Sequence, residues 1–351
     1  TKFYSCKSMV SSKFNIKKDK LIMKNFVVTM TPMRISFIGG GSDLKDFYRV
    51  NNSGGAVIST TINKYVYIIL NKYHNKNHCL LKYSKSELVK NINEIKHPLI
   101  SACLKKADLW GLDINSVADI PAGTGLGSSS SFTVGLINAL QYYKNKPISK
   151  KTLANKACEI EIDVLKLPVG KQDQFAATYG GLNIIKFKPK GNTSIEKITN
   201  EKAVNDLKED LIIINTGIRN NNKIILREQQ KNIRKGKEFF EHLRFMRNSV
   251  FDFKSALLKS DINICGEILH ENWVKKMELA KGITNKKINK IYEEALYCGA
   301  LGGKILGAGG RGYLMLICPK KEQKKILKRF NKLEFLNFEF DKFGSRRLIR
   351  V

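Results

Sequence analysis

Two domains of mixed α and β structure, an α+β class, are predicted by three features of the sequence. The chain has 351 residues, enough for one large domain or two of average size. From Thr31 onward, short runs dense in β-branched and aromatic residues are interspersed with apolar stripes at helical spacing. A polar stretch at 188–208, carrying Pro189 and Gly191, interrupts that pattern and marks a boundary. The division expected is an extension of unknown role at 1–29, an N-terminal domain at 30–188 and a C-terminal domain at 189–351.

Residues 1–29 are basic and rich in Ser and Lys, without an apolar segment of secretory length, and are given no fold role. A strand at 34–38 runs into Gly39, Gly40 and Gly41. Two β-rich pieces follow within 56–70, around Val57 and Ile58 and over 65–70. The spacing of Leu99, Cys103 and Leu104 predicts a helix over 98–112. A second helix follows the glycine-rich loop at 123–127, and a third spans 149–167, stopped by Pro168. Strands are expected at 182–187 and 211–215, long charged helices to about residue 301, a glycine turn at 307–312, a strand at 313–318, a Lys-rich helix and a β-rich end.

Composition excludes several classes. Hydrophobic residues make up 42% of the chain, which is globular rather than disordered. No apolar run reaches the ~18 residues of a membrane span. Lys and Arg total 62 against 31 acidic residues, a formal charge of +31. The excess is scattered. Its densest cluster (Lys320, Lys321, Lys324, Lys325, Lys328, Arg329) has helical spacing and lacks the interleaved aromatics of a nucleic-acid platform, so no nucleic-acid partner is expected. Seven cysteines form no C-x-x-C pair and read as packed, reduced thiols of a cytoplasmic protein. His74 and His78 have the i, i+4 spacing of a metal pair but lie in a polar Asn/Lys stretch, which reads as a surface loop.

Chemistry concentrates in three places. The segment 119–131, DIPAGTGLGSSSS, opens directly into an apolar helix. Small residues let backbone amides approach an anion, and the helix start adds unpaired N–H groups and the positive dipole end, so the loop is a phosphate cradle. Leu126 among the glycines implies an anchored loop rather than a linker. The P-loop pattern is not met around Gly303 and Lys304, and 307–312 matches G-x-G-x-x-G by letter but feeds a strand instead of a helix. On the helix at 149–167, Glu161 lies on the apolar stripe of Ala157, Cys158, Val164 and Leu165. A carboxylate there needs a partner or a metal, and beside a phosphate loop a magnesium ligand competes equally with a buried salt bridge. Asp173, in GKQDQ at 170–174, sits where a short helix begins and by spacing alone reads as an N-cap.

PMRISFIGGGSD at 32–43, the 121–131 loop, GKQDQ and KILGAGGRGY at 304–313 occur in this order, and together they resemble the motif set of the GHMP kinases. The resemblance covers roughly residue 31 to the end. The glycine-serine-aspartate opening, TTINK at 60–64, His97 with Pro98, and GKQDQ are most similar to the D-glycero-D-manno-heptose 7-phosphate kinases, which phosphorylate the anomeric hydroxyl.

The resemblance implies a ribosomal-protein-S5-like N-terminal half and a ferredoxin-like C-terminal half. It implies ATP phosphates held by Pro121, Gly123, Gly125, Leu126, Gly127, Ser128, Ser129, Ser130 and Ser131, and magnesium held by Ser129 and Glu161. Asp173 would orient or deprotonate the acceptor hydroxyl, with Arg34 beside it. The acceptor would meet Gly41, Ser42, Asp43, Lys64, Gln172, Arg219, Gly309 and Gly310. Two positions depart from the pattern: Arg311 replaces a glycine, and Arg219 is one position early. The expected partner is a small sugar phosphate, with the chain a monomer or homodimer. The alternatives are another GHMP sugar 1-kinase of the fucose type, or a basic nucleic-acid-binding protein on a degenerate kinase fold.

Overall fold

A computed structural model describes residues 26–217 and 222–350. In chain order the first part reads β1 (Val27–Ile38), the single turn α1 (Lys45–Tyr48), β2 (Gly55–Lys72), β3 (Cys79–Lys82), β4 (Ser86–Val89), α2 (Pro98–Ala107), β5 (Leu112–Ala118), α3 (Ser128–Tyr143), α4 (Lys150–Cys158), a π-helical segment (Glu159–Val164), α5 (Gln172–Tyr179), β6 (Asn183–Phe187) and β7 (Thr193–Lys197). The second part reads α6 (Glu201–Glu209), β8 (Leu211–Asn215), α7 (Asn222–Lys235), α8 (Lys237–Leu258), α9 (Ile262–Glu278), α10 (Lys286–Tyr297), β9 (Gly302–Ile305), β10 (Tyr313–Ile317) and α11 (Lys320–Arg329). The chain then ends in β11 (Phe340–Asp341) and β12 (Arg346–Arg350).

The spine of the first sheet is the antiparallel pair β1–β2. The two β-rich pieces expected in 56–70 are one 18-residue strand. On the side away from β1, its first residues, Gly55–Ser59, pair with β6 and its last, Val66–Lys72, with β5, while the two-residue β11 pairs with Thr61 and Ile62 between them. Strand β5 was not expected. The helix foreseen over 98–112 stops at Ala107, where Asp108 caps it in the left-handed conformation, and Gly111 turns the chain at φ 72. Leu112 and Ile114 then point into the core.

α3 lies across β1 and β2 and is buried on all sides over 130–140. Gly135 permits that approach, because a Cβ there would stand 2.8 Å from Thr31 Oγ1. The Thr29 hydroxyl donates to the Gly135 carbonyl at 3.0 Å.

The second part builds a three-stranded antiparallel sheet, β8-β10-β9, extended by an isolated bridge between Ile214 and Phe335. Helix α9 packs on β9, and Trp273 is buried beneath it. The expected boundary at residue 188 is crossed in both directions. Strand β7 pairs with β6, while β11 and β12 return from the far end to pair with β2 and β1. β1 begins at Val27, paired with Leu70 and Arg350, so the last residues of the expected 1–29 extension are strand. The remainder of that extension, 1–25, lies outside the described residues. Among the described residues no helix is long and apolar enough to cross a membrane. His74 and His78 lie in the turn between β2 and β3.

The two parts meet through glycine backbone. Gly125 has φ +87, and a Cβ on it would lie 2.4 Å from the Leu306 carbonyl oxygen. Tyr313 N donates to the Thr124 carbonyl at 3.3 Å. Replacing Gly125 with Ala combines left-handed strain with this overlap and should destabilise the fold by roughly 2 kcal/mol or more. Chemical denaturation of the G125A variant measures it, and an unchanged midpoint would show that the two loops are free to separate.

Candidate active site

Two adjoining clefts open where the parts meet, and Arg34 and Asp173 line both. Arg34 projects from β1 with its side chain almost wholly buried. Its Nε and Nη2 donate to Asp173 Oδ1 and Oδ2 at 2.7 and 2.6 Å, a bidentate pair, and its Nη1 donates to the Gly125 carbonyl. Its backbone N donates to Leu126 O at 2.9 Å. Asp173 is the second residue of α5 and is engaged with Arg34; the residue at the cap position is Lys171. The N-cap reading of Asp173 therefore gives way to the Arg34 pair.

The first cleft is floored by the glycine-serine loop. Gly123, Gly125 and Gly127 all have positive φ, which only glycine adopts without strain, and Gly127 precedes the first turn of α3. Gly123, Gly125, Gly127, Ser128, Ser129 and Ser130 line the cleft beside Glu161. Leu126 is fully buried and anchors the loop, as its position among the glycines implied. Pro121 is exposed outside the cleft, and the Ser131 hydroxyl is turned away to donate to Pro32 O at 2.8 Å.

Glu161 is 1% exposed. The single helix expected over 149–167 breaks into α4 and the π-helical segment, whose wider turn carries Glu161 under the loop; Leu165 N donates to Ile160 O, five residues back. Glu161 Oε2 accepts from Ser130 Oγ at 2.8 Å and from Gln174 Nε2 at 2.6 Å, whereas Oε1 is buried without a hydrogen-bond partner among the described residues. The serine in contact with Glu161 is thus Ser130, while the expected Ser129 is exposed on the cleft wall. The Thr133 hydroxyl, also close by, donates to Ser129 O. Burial raises the Glu161 carboxyl to about 7, with the neighbouring hydroxyl and amide groups opposing the rise and Asp173 adding to it.

The second cleft holds Gly41, Asp43 and Gln172. Asp43 Oδ1 and Oδ2 accept from Gly41 N at 3.0 Å and Gln172 N at 3.2 Å. Burial, then the proximity of Asp173, raises the Asp43 carboxyl, and these two amides oppose the rise. Ser36 Oγ donates to Gln172 Oε1 at 2.9 Å.

Several expected acceptor residues stand elsewhere. The Ser42 hydroxyl donates to Ala56 O at 2.8 Å and tethers the loop to β2. Lys64 occupies the register shift where β2 parts from β1, between Ile62 and Tyr65, and lines neither cleft. Gly309 and Gly310 pack on Ile283, and Gly307 and Ala308 line the clefts in their place. Arg311 points to solvent. Arg219 lies outside the described residues. The sequence reading missed Lys276 and Lys304, buried on the wall of the second cleft with 5% and 3% of their surface exposed. Lys304 was legible as a lone lysine between Gly303 and Ile305 ahead of the glycine turn; Lys276 sits among the charged residues of α9 and gave no signal.

A helix start lined by glycine backbone beside a carboxylate-guanidinium pair, with a separate polar cleft on the far side of that pair, is an arrangement suited to phosphoryl transfer onto a small hydroxylated molecule. The chain matches both domains of the GHMP kinases: residues 93–181 the GHMP kinases N terminal domain and residues 253–334 the GHMP kinases C terminal domain. It is 26% identical over 338 residues to a D-glycero-alpha-D-manno-heptose 7-phosphate kinase of Campylobacter jejuni, covering 91% of this chain and 97% of that protein. A galactokinase of Pyrococcus furiosus is 24% identical, with 86% and 91% covered. The crystal structure of a D-glycero-D-manno-heptose 1-phosphate kinase from Bacteroides thetaiotaomicron superposes with a TM-score of 0.75 at 23% identity, covering 92% of this chain and 99% of that one.

The raised Glu161 carboxyl makes a prediction about stability. Its folded pKa of about 7 lies above the usual value of 4.5, so the folded state holds the proton more tightly than the unfolded chain. Stability of the metal-free protein should fall as pH rises from about 4.5 to about 7 and stay low above that, by up to about 3 kcal/mol from this group. Glu161→Gln should therefore be more stable than the parent at pH 8 without divalent cations, with the gap closing near pH 5. A less stable variant at pH 8 would mean that Glu161 is engaged in a stabilising ion pair.

Proposed function

We propose that this chain is an ATP- and magnesium-dependent kinase that phosphorylates the anomeric hydroxyl of a D-glycero-D-manno-heptose 7-phosphate, giving the 1,7-bisphosphate. The observation that carries the reading is the Asp173–Arg34 pair on the wall shared by the two clefts. A donor phosphate in the first cleft and an acceptor hydroxyl in the second meet there. Phosphoryl transfer leaves the protein mainly the tasks of alignment and charge compensation.

In this reading the 123–130 backbone and the start of α3 bind the nucleotide phosphates. Asp173 orients the acceptor hydroxyl and accepts its proton as the new P–O bond forms, the γ-phosphorus parts from its bridging oxygen and ADP leaves. Arg34 fixes the carboxylate plane and offsets negative charge at the point of transfer. Asp43 and Gln172 hold sugar hydroxyls. The buried, unpartnered Oε1 of Glu161 next to serine hydroxyls is an all-oxygen donor set that fits a hard divalent cation, and Glu161 with Ser129 or Ser130 would hold magnesium. When bound, the ion would screen the phosphate oxygens. The match to the GHMP kinase domains and the similarity to a heptose 7-phosphate kinase support the choice of acceptor.

Asp173→Asn keeps the shape of the pair and removes the base. It should retain ATP affinity within a few-fold and lose turnover by at least ~100-fold. Near-normal turnover in steady-state assays would reduce Asp173 to a structural partner of Arg34. The acceptor is tested by comparing heptose 7-phosphate with free heptose. A higher kcat/KM on the phosphorylated sugar is expected, and equal or better use of free heptose would make this a simple sugar 1-kinase.

A further inference from the structure

Gly40 has no backbone need to be glycine, since it is absent from the positive-φ glycines that surround it, Gly39 and Gly41. A Cβ placed on it would meet Gln172 Nε2 at 3.7 Å, Ser36 Oγ at 3.8 Å and Lys304 Nζ at 3.9 Å. Two side chains with donor hydrogens to spare, Gln172 and Lys304, converge on a space that the missing side chain leaves open, and the Ser36 hydroxyl holds Gln172 in place by donating to its Oε1.

Lys304 is the unusual member. It is 3% exposed, reaches across from β9 to donate to the Phe37 carbonyl at 3.0 Å, and forms no ion pair among the described residues. A buried ammonium held by one carbonyl is costly unless a further anion completes it. Burial, with Lys276 and Arg34 nearby, holds the Lys304 amine well below the usual lysine range, and Asp43 only partly offsets this. Asp43 itself is occupied by the Gly41 and Gln172 amides. Lys276, 5% exposed, donates to Gly307 O at 2.6 Å on the same wall.

Position decides which anion. Lys304 and Lys276 line the acceptor cleft, and neither lines the cleft of the glycine-serine loop. We infer that Lys304, with Gln172 beside it around the open face of Gly40, binds the phosphate that the acceptor carries before the reaction, with Lys276 adding positive charge. The inference rests on the kinase reading above and names the residues that make it selective for a phosphorylated acceptor.

Two variants test it. Lys304→Met removes the charge, and Gly40→Ala fills the space at ordinary contact distances while keeping every charge. Each should lower kcat/KM on heptose 7-phosphate by about 30-fold more than on free heptose, the scale for breaking a buried charged contact, and leave KM for ATP within a few-fold. Equal losses on both acceptors, or a loss confined to KM for ATP, would overturn the assignment and move Lys304 to the transferring phosphate. If Lys304→Met does not fold, Gly40→Ala decides alone. If the wild-type chain uses neither heptose, the acceptor reading fails separately. The lysine is then judged by thermal shift, with a non-hydrolysable ATP analogue filling the glycine-serine loop. Inorganic phosphate should raise the melting temperature of the wild type and not of Lys304→Met, and the same rise in both would overturn the inference.

Discussion

The Arg34 guanidinium is the contact on which the rest of the site depends. It holds both oxygens of Asp173, takes the Gly125 carbonyl, and lies directly beneath Gly127, where a Cβ would meet its side chain at 3.1 Å. Three elements are thereby fixed at one point: β1, which carries it, the glycine-serine loop above it and the start of α5 beside it. Arginine suits this role because its planar fork matches a carboxylate and still has a donor left for the loop. Lysine, a point charge, would satisfy one of these partners. With its side chain 5% exposed, the pair lies outside the range of weak surface bridges, and removing either partner leaves a charge without compensation.

Charges around this point are arranged for a ligand rather than for the empty protein. Glu161 and Lys304 are of opposite sign and both buried, yet they sit in different clefts and are not paired with each other. Glu161 shows a bare oxygen to the phosphate loop, and Lys304 borders the space over Gly40. Burial moves each toward its neutral form, Glu161 upward and Lys304 downward. Such groups are costly to the isolated fold and become favourable when a cation or an anion completes them. The π-helical turn at Glu159–Val164 belongs to the same economy of position, since it brings the carboxylate beneath the loop where a regular helix would carry it past.

Local signals in the sequence carried much of this. The glycine-serine loop was legible because its chemistry is contiguous: small residues, a buried leucine anchor and an apolar helix lie within one stretch. Glu161 was legible because a carboxylate on an apolar stripe is anomalous whatever surrounds it. The strand at β5 was missed because Leu112 to Ala118 follows a helical stripe without a proline, and the break depends on Asp108 and Gly111 adopting left-handed conformations. The domain boundary was drawn at a polar stretch, but β7 lies within that stretch and β11 and β12 return to the first sheet, a matter of long-range pairing.

By itself the sequence determined the α+β class, the glycine-serine loop and the buried acid Glu161, since each is encoded by neighbours within a few residues; Asp173 reads locally as an N-cap and enters the site only through the resemblance. Only the tertiary structure decided which cations line the second cleft. In a chain with 62 basic residues, adjacency to a motif favoured Lys64, which lies at a register shift of β2 away from the clefts. Lys304 is 264 positions from Gly40 in sequence and 3.9 Å from its missing Cβ in space. Burial selects it, because one lysine among many becomes functional where solvent is excluded and an anion is the partner still missing.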